Sequence, residues 1–91
     1  MADTTTKHKI FIVDEYSFLL DMYALKFSQS NFDVSTASIP EEALEMLRGG
    51  YKPDVMLLDV LMPIMDGFQL LKVMQDEKLI GKTVKIILSN R

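Results

Sequence analysis

The apolar run Val55-Met56-Leu57-Leu58 ends in a carboxylate, Asp59, and gives way to the turn-like stretch Val60-Leu61-Met62-Pro63-Ile64-Met65-Asp66-Gly67. A run of this kind reads as a strand covered on both faces, and in open parallel sheets the functional crevice lies beyond the carboxyl ends of the strands. An acid there is placed for chemistry. Two other apolar runs also end in polar groups: Lys9-Ile10-Phe11-Ile12-Val13 runs into Asp14-Glu15, and Val84-Lys85-Ile86-Ile87-Leu88 runs into Ser89.

These ends need elements to hold them. Lys9 to Asp14 reads as a short buried strand rich in β-branched and aromatic residues. From Ser17 to Ser30 the period changes: Leu20, Tyr23, Ala24 and Phe27 fall at i, i+3, i+4 and i+7, an apolar helical face, and Asn31 suits a left-handed stop. Phe32 to Ala37 is a weaker strand. In Ser38-Ile39-Pro40-Glu41 the Ser and Glu three apart suggest a capping box, with Pro in the first turn, before a helix that buries Ala43, Leu44 and Leu47. Gly49-Gly50 stops that helix, and Pro53 introduces the strand ending at Asp59. Gly67, Leu70, Leu71 and Met74 return to helical spacing before the last run. The order βαβαβαβ implies right-handed crossovers and a parallel sheet with helices on both faces.

Ninety-one residues, 48% of them hydrophobic, make one domain, with residues 1–8 as a polar lead-in and 9–91 as the folded unit. The net charge of −3, with ten Lys and Arg scattered and no basic block, argues against a nucleic-acid partner. The absence of cysteine fits a reducing compartment. No apolar stretch is long enough for a membrane helix, and the polar N-terminus is unlike a signal peptide, so the expectation is a cytoplasmic protein that meets no membrane.

Plain structural roles compete for some of these residues. Asp14 or Ser17 could cap the first helix, Asp66-Gly67 could start the third, Pro63 could fix the turn, and Ser89 could simply end a strand. The seven Met residues read as core filler, and His8, near the terminus, is no candidate general base.

Three landmarks in order and spacing carry a resemblance: the pair Asp14-Glu15; Asp59, forty-four residues after Glu15 inside a D-x-x-M-P-x-M-D-G pattern; and Ser89, thirty residues after Asp59. From Lys9 to Ser89 the chain resembles the receiver domain of bacterial two-component response regulators. The resemblance implies a flavodoxin-like fold with strand order 2-1-3-4 here, which sets the first and third strands side by side and gathers Asp14, Glu15 and Asp59. Three close carboxylates call for a hard cation. The resemblance further implies that Asp59 is the phosphoacceptor, with Mg2+ held by Glu15 and Asp59, by Asp14 through water and by the backbone carbonyl of Leu61. It implies that Ser89 hydrogen-bonds the phosphoryl group as the switch residue, and that the phosphate comes from a sensor histidine kinase or a phosphotransfer protein.

Two features depart from the family pattern. Glu15 stands where Asp is usual. Receivers ordinarily continue through a fourth helix, a fifth strand bearing a Lys that pairs with the phosphoryl group, and a fifth helix, so this chain reads as a receiver truncated after its fourth strand. With that Lys absent, whether the chain promotes its own phosphotransfer is left open. Truncation would leave Ile86, Ile87 and Leu88 on an unpaired edge, and a homo-oligomer pairing through that edge is expected. The alternative function is a phosphorylation-incompetent scaffold that self-associates in this way.

Overall fold

The computed structural model describes residues 7–59 and 67–88. The elements are β1 (Lys9–Val13), α1 (Ser17–Gln29), β2 (Asp33–Ala37), α2 (Pro40–Arg48), β3 (Val55–Asp59), α3 (Gly67–Asp76) and β4 (Val84–Leu88). All four strands are parallel in the order β2-β1-β3-β4. Order and class are those expected from the sequence.

Alternation along β1 and β3 feeds two cores, one on each face of the sheet. Ile10, Ile12 and Leu57 point to one face, where they meet Leu20 of α1 with Tyr23 and Phe27 packed around them. Phe11, Val13, Met56 and Leu58 point to the other, against Ala43, Leu44 and Leu47 of α2 and Leu70 and Met74 of α3. Both strands are thereby sandwiched, which is why they read as unbroken apolar runs. At the edge, Val84 and Ile86 stand opposite Val55 and Leu57 on the α1 side and remain 59% and 45% exposed.

Helix α1 carries apolar residues on two sides. Its sheet-facing side is the expected one, but Phe18, Met22 and Leu25 recur at i, i+4 and i+7 on the opposite side and are all exposed. Among the described residues nothing covers this stripe.

The helix starts differ from the sequence expectation. Helix α1 has Tyr16 as its N-cap with no side-chain cap bond, so neither Asp14 nor Ser17 caps it. In α2, Pro40 takes the first helical position and Ile39 the extended N-cap, which moves the third helical position to Glu42. The Ser38 N–H accordingly donates to Glu42 Oε1 at 3.0 Å, and the expected Ser38–Glu41 box does not form.

All three helices end in the same closure. The N–H five residues on bonds back to the last turn, Phe32 to Phe27, Tyr51 to Met46 and Leu79 to Met74, with an inner bond from Asn31 to Ser28, Gly50 to Leu47 and Lys78 to Gln75. This is the Schellman arrangement, whose pivot residue must take a left-handed backbone. Asn31 (φ 70°) and Gly50 (φ 108°) are ordinary choices there, whereas the third pivot is Lys78 (φ 59°).

Candidate functional site

β1 and β3 lie side by side, with Ile12 opposite Leu57 and Val13 opposite Leu58. One step further, the same register sets Asp14 beside Asp59 at the carboxyl end of the sheet. Since Ile12 and Leu57 both face α1, the alternation turns Asp14 and Asp59 to that same face. The backbone carries β1 this far: the Asp14 N–H donates to the Ala37 carbonyl at 3.1 Å, extending the pairing with β2 by one residue.

Both side chains are buried, Asp14 at 1% and Asp59 at 0% exposure. Asp14 Oδ1 accepts the Tyr16 N–H at 2.9 Å, which fixes the carboxylate and turns the chain toward α1. Glu15, the next residue, is half-buried. Two buried acids side by side in a sheet interior otherwise filled with Ile, Leu, Met and Phe are expensive unless a positive charge meets them. Their donors are hard oxygens, so the pair fits a hard divalent cation such as Mg2+, for which Asp14, Glu15 and Asp59 are the side-chain candidates. Among the described residues no three His, Cys, Asp or Glu side chains come together in a group that could hold a metal ion, so the structure does not gather Asp14, Glu15 and Asp59 into one set as the sequence led us to expect. Leu61, the expected carbonyl donor, and Ser89, the expected phosphoryl contact, lie outside the described residues, as do Pro63 and Asp66.

The opposite end of the sheet holds a feature that sequence reading passed over. Lysines scattered along the chain, Lys52, Lys78 and Lys82, converge on one cavity between the α2–β3 and α3–β4 loops. No linear pattern announces it, because two loops some thirty residues apart contribute.

A doubly wound parallel sheet with paired acids at its carboxyl end defines a flavodoxin-like α/β domain. The family model described as "Response regulator receiver domain" matches residues 10–90. The chain therefore belongs to the response regulator receiver family. It is 37% identical over 71 residues to the alkaline phosphatase synthesis transcriptional regulatory protein PhoP of Bacillus subtilis (strain 168), covering 78% of this chain and 29% of that protein. It is 38% identical over 66 residues to the probable transcriptional regulator ycf27 of Guillardia theta, covering 72% and 26%. The chain thus spans under a third of these curated relatives. Among solved structures it resembles the chemotaxis protein CheY4 of Vibrio cholerae, with TM-score 0.86, 26% identity, and 94% of this chain and 71% of that one covered. The N-terminal domain of a response regulator receiver protein from Methanoculleus marisnigri JR1 gives 0.85 and 26%, with 94% and 69% covered. No helix among the described residues is long and apolar enough to cross a membrane.

Proposed function

We propose that this chain is a cytoplasmic phosphoacceptor: a histidine kinase or phosphotransfer protein delivers a phosphoryl group to Asp59. The observation that carries the reading is a fully buried carboxylate at the end of β3, one strand spacing from the buried Asp14. A carboxylate oxygen of Asp59 attacks phosphorus, the donor's P–N bond breaks, and the imidazole leaves with its electron pair and takes up a proton. Asp14, fixed by the Tyr16 N–H, would serve the cation through water, while Glu15, Asp59 and the Leu61 carbonyl would hold it directly. Bound Mg2+ would supply charge neutralisation between an anionic nucleophile and an anionic phosphoryl group. Ser89 would hydrogen-bond the transferred group and register its presence.

Incubation with acetyl phosphate and Mg2+, followed by intact mass, tests the reading. One added phosphoryl group is expected in the wild type and none in Asp59→Asn. A gain that persists in Asp59→Asn would place the acceptor elsewhere.

A second reading is favoured by the exposed Val84 and Ile86 on edge strand β4: a scaffold that pairs with a second copy through this edge. Light scattering over a concentration series separates the two. A scaffold dimerises without phosphate, and Ile86→Lys returns it to a folded monomer.

A further inference from the structure

The loops at the amino end of the sheet are stitched together. Thr83 Oγ1 donates to the Pro53 carbonyl at 2.8 Å in a buried bond, and the Val84 N–H donates to the Asp54 carbonyl at 2.9 Å. Between them lies an open cavity of about 510 Å3, walled by Lys52 and Asp54 from one loop and Lys78, Gly81 and Lys82 from the other. This volume lies within the range of small-ligand sites, roughly 300–1,000 Å3. A neighbouring depression of about 330 Å3 shares Lys78 and Gly81 and adds Lys85.

Three lysines stand against one acid here, Asp54, so the cavity keeps a positive excess in a chain whose net charge is −3. The nearby acids are already engaged: Glu77 takes a two-pronged bond from Arg48 at 2.6 and 2.8 Å, Asp76 pairs with Lys72 at 3.1 Å, and Asp54 Oδ2 accepts the Lys9 N–H at 2.7 Å. Lys52, Lys78 and Lys82 have no ion pair among the described residues. The backbone N–H groups of Gly81 and Lys82 donate to no backbone carbonyl there either. Three ammonium groups against one carboxylate suit an anion with charge spread over several oxygens.

The helix ends supply a second, independent observation. At the left-handed pivots of α1 and α2 stand Asn31 and Gly50, residues that tolerate that backbone, but α3 carries Lys78 at φ 59°. An L-residue with a long side chain is strained there, and strain is kept where something else holds it. Lys78 lines both depressions.

We propose that this cavity binds a small anion bearing a chain of phosphates, held by Lys52, Lys78 and Lys82. The site lies at the opposite end of the strands from Asp59 and is independent of the acceptor reading. The limited volume and walled shape favour a free small molecule over a membrane surface.

The test uses the full chain in metal-free buffer at constant ionic strength, with inorganic triphosphate and ATP as probes and chloride as the control. Amide shifts read by NMR should saturate at residues 50–54 and 78–83, with triphosphate and ATP alike, while Asp59→Asn binds unchanged. Lys78→Gly should bind roughly tenfold more weakly, the loss of one charge-assisted contact, yet melt no lower than the wild type because glycine relieves the pivot. That opposition of affinity and stability separates lost binding from lost folding. Lys52→Gln with Lys82→Gln should weaken binding further. Shifts that do not saturate, shifts centred on Asp59, a preference for anionic phospholipid vesicles over triphosphate, or full affinity in Lys78→Gly would each overturn the proposal.

Discussion

Replacing Asp59 with Asn is expected to make the metal-free domain more stable. Val13 faces Leu58 across the β1–β3 pair, so Asp14 and Asp59 continue a register in which adjacent strands run about 4.8 Å apart. Two carboxylates about 5 Å apart repel by roughly 3 kcal/mol at an effective dielectric constant of about 20. Both are buried, so bulk water relieves little of this. Asn keeps the shape and removes one charge, and after the loss of whatever bonds the Asp59 carboxylate accepts, a gain of about 1–3 kcal/mol remains. In a domain of this size each kcal/mol moves the melting temperature by about 4–8 °C. Melting curves of both proteins, recorded without metal and along a Mg2+ series, read this directly. The wild type should gain about 1.4 kcal/mol at a Mg2+ concentration ten times its Kd, and the variant little, so their order converges or inverts. A variant that melts at or below the wild type without metal refutes the repulsion argument. A cooperative wild-type melt that millimolar Mg2+ does not move refutes the cation site.

Lys78→Gly should raise stability by on the order of 0.5 kcal/mol, the relieved left-handed strain less the added chain entropy of glycine, measured by urea denaturation. Leu58→Ala, fully buried between β3 and the α2–α3 layer, should cost about 2–5 kcal/mol, whereas Leu25→Lys on the outer stripe of α1 should stay within about 0.5 kcal/mol. The Arg48 guanidinium, by hydrogen bonding, holds the Glu77 carboxyl below its ordinary range. A lowered folded-state value means that the stabilisation is complete above the unfolded value and fades as pH falls through the folded one. Glu77→Gln should therefore unfold more readily than the wild type at neutral pH and match it in strong acid, as denaturation at a series of pH values would show.

Element order, strand order and the two-sided core were legible because β1 and β3 are sandwiched and spell this out as unbroken apolar runs, while Leu20, Tyr23 and Phe27 mark one face of α1. The pairing of Asp14 with Asp59 was legible only through the family's strand order, since nothing in the spacing of two residues forty-five apart fixes which strands are neighbours. The α2 start was misread by one position, because Pro40 claims the first helical site and hands the reciprocal bond to Glu42. The outer stripe of α1 escaped notice because the i, i+3, i+4 pattern of the inner face already accounted for the helix. The lysine cavity was invisible for a different reason: its walls come from two loops that only Thr83 and Val84 bring together.

Strand β3 joins the two ends of the sheet: its five residues begin just after Asp54, whose carbonyl anchors the α3–β4 loop, and finish at Asp59. At about 3.3 Å per residue the ends stand roughly 16 Å apart, twice the Debye length of about 8 Å at physiological ionic strength. An anion among the lysines and a cation among the aspartates would therefore be screened from one another wherever their field runs through solvent, leaving only the weaker coupling through the buried sheet. In dilute salt the screening length overtakes the strand, and the two fields merge into one polarity along the sheet. In a low-salt buffer the molecule would thus present a single oriented dipole, which charged partners would approach end-on.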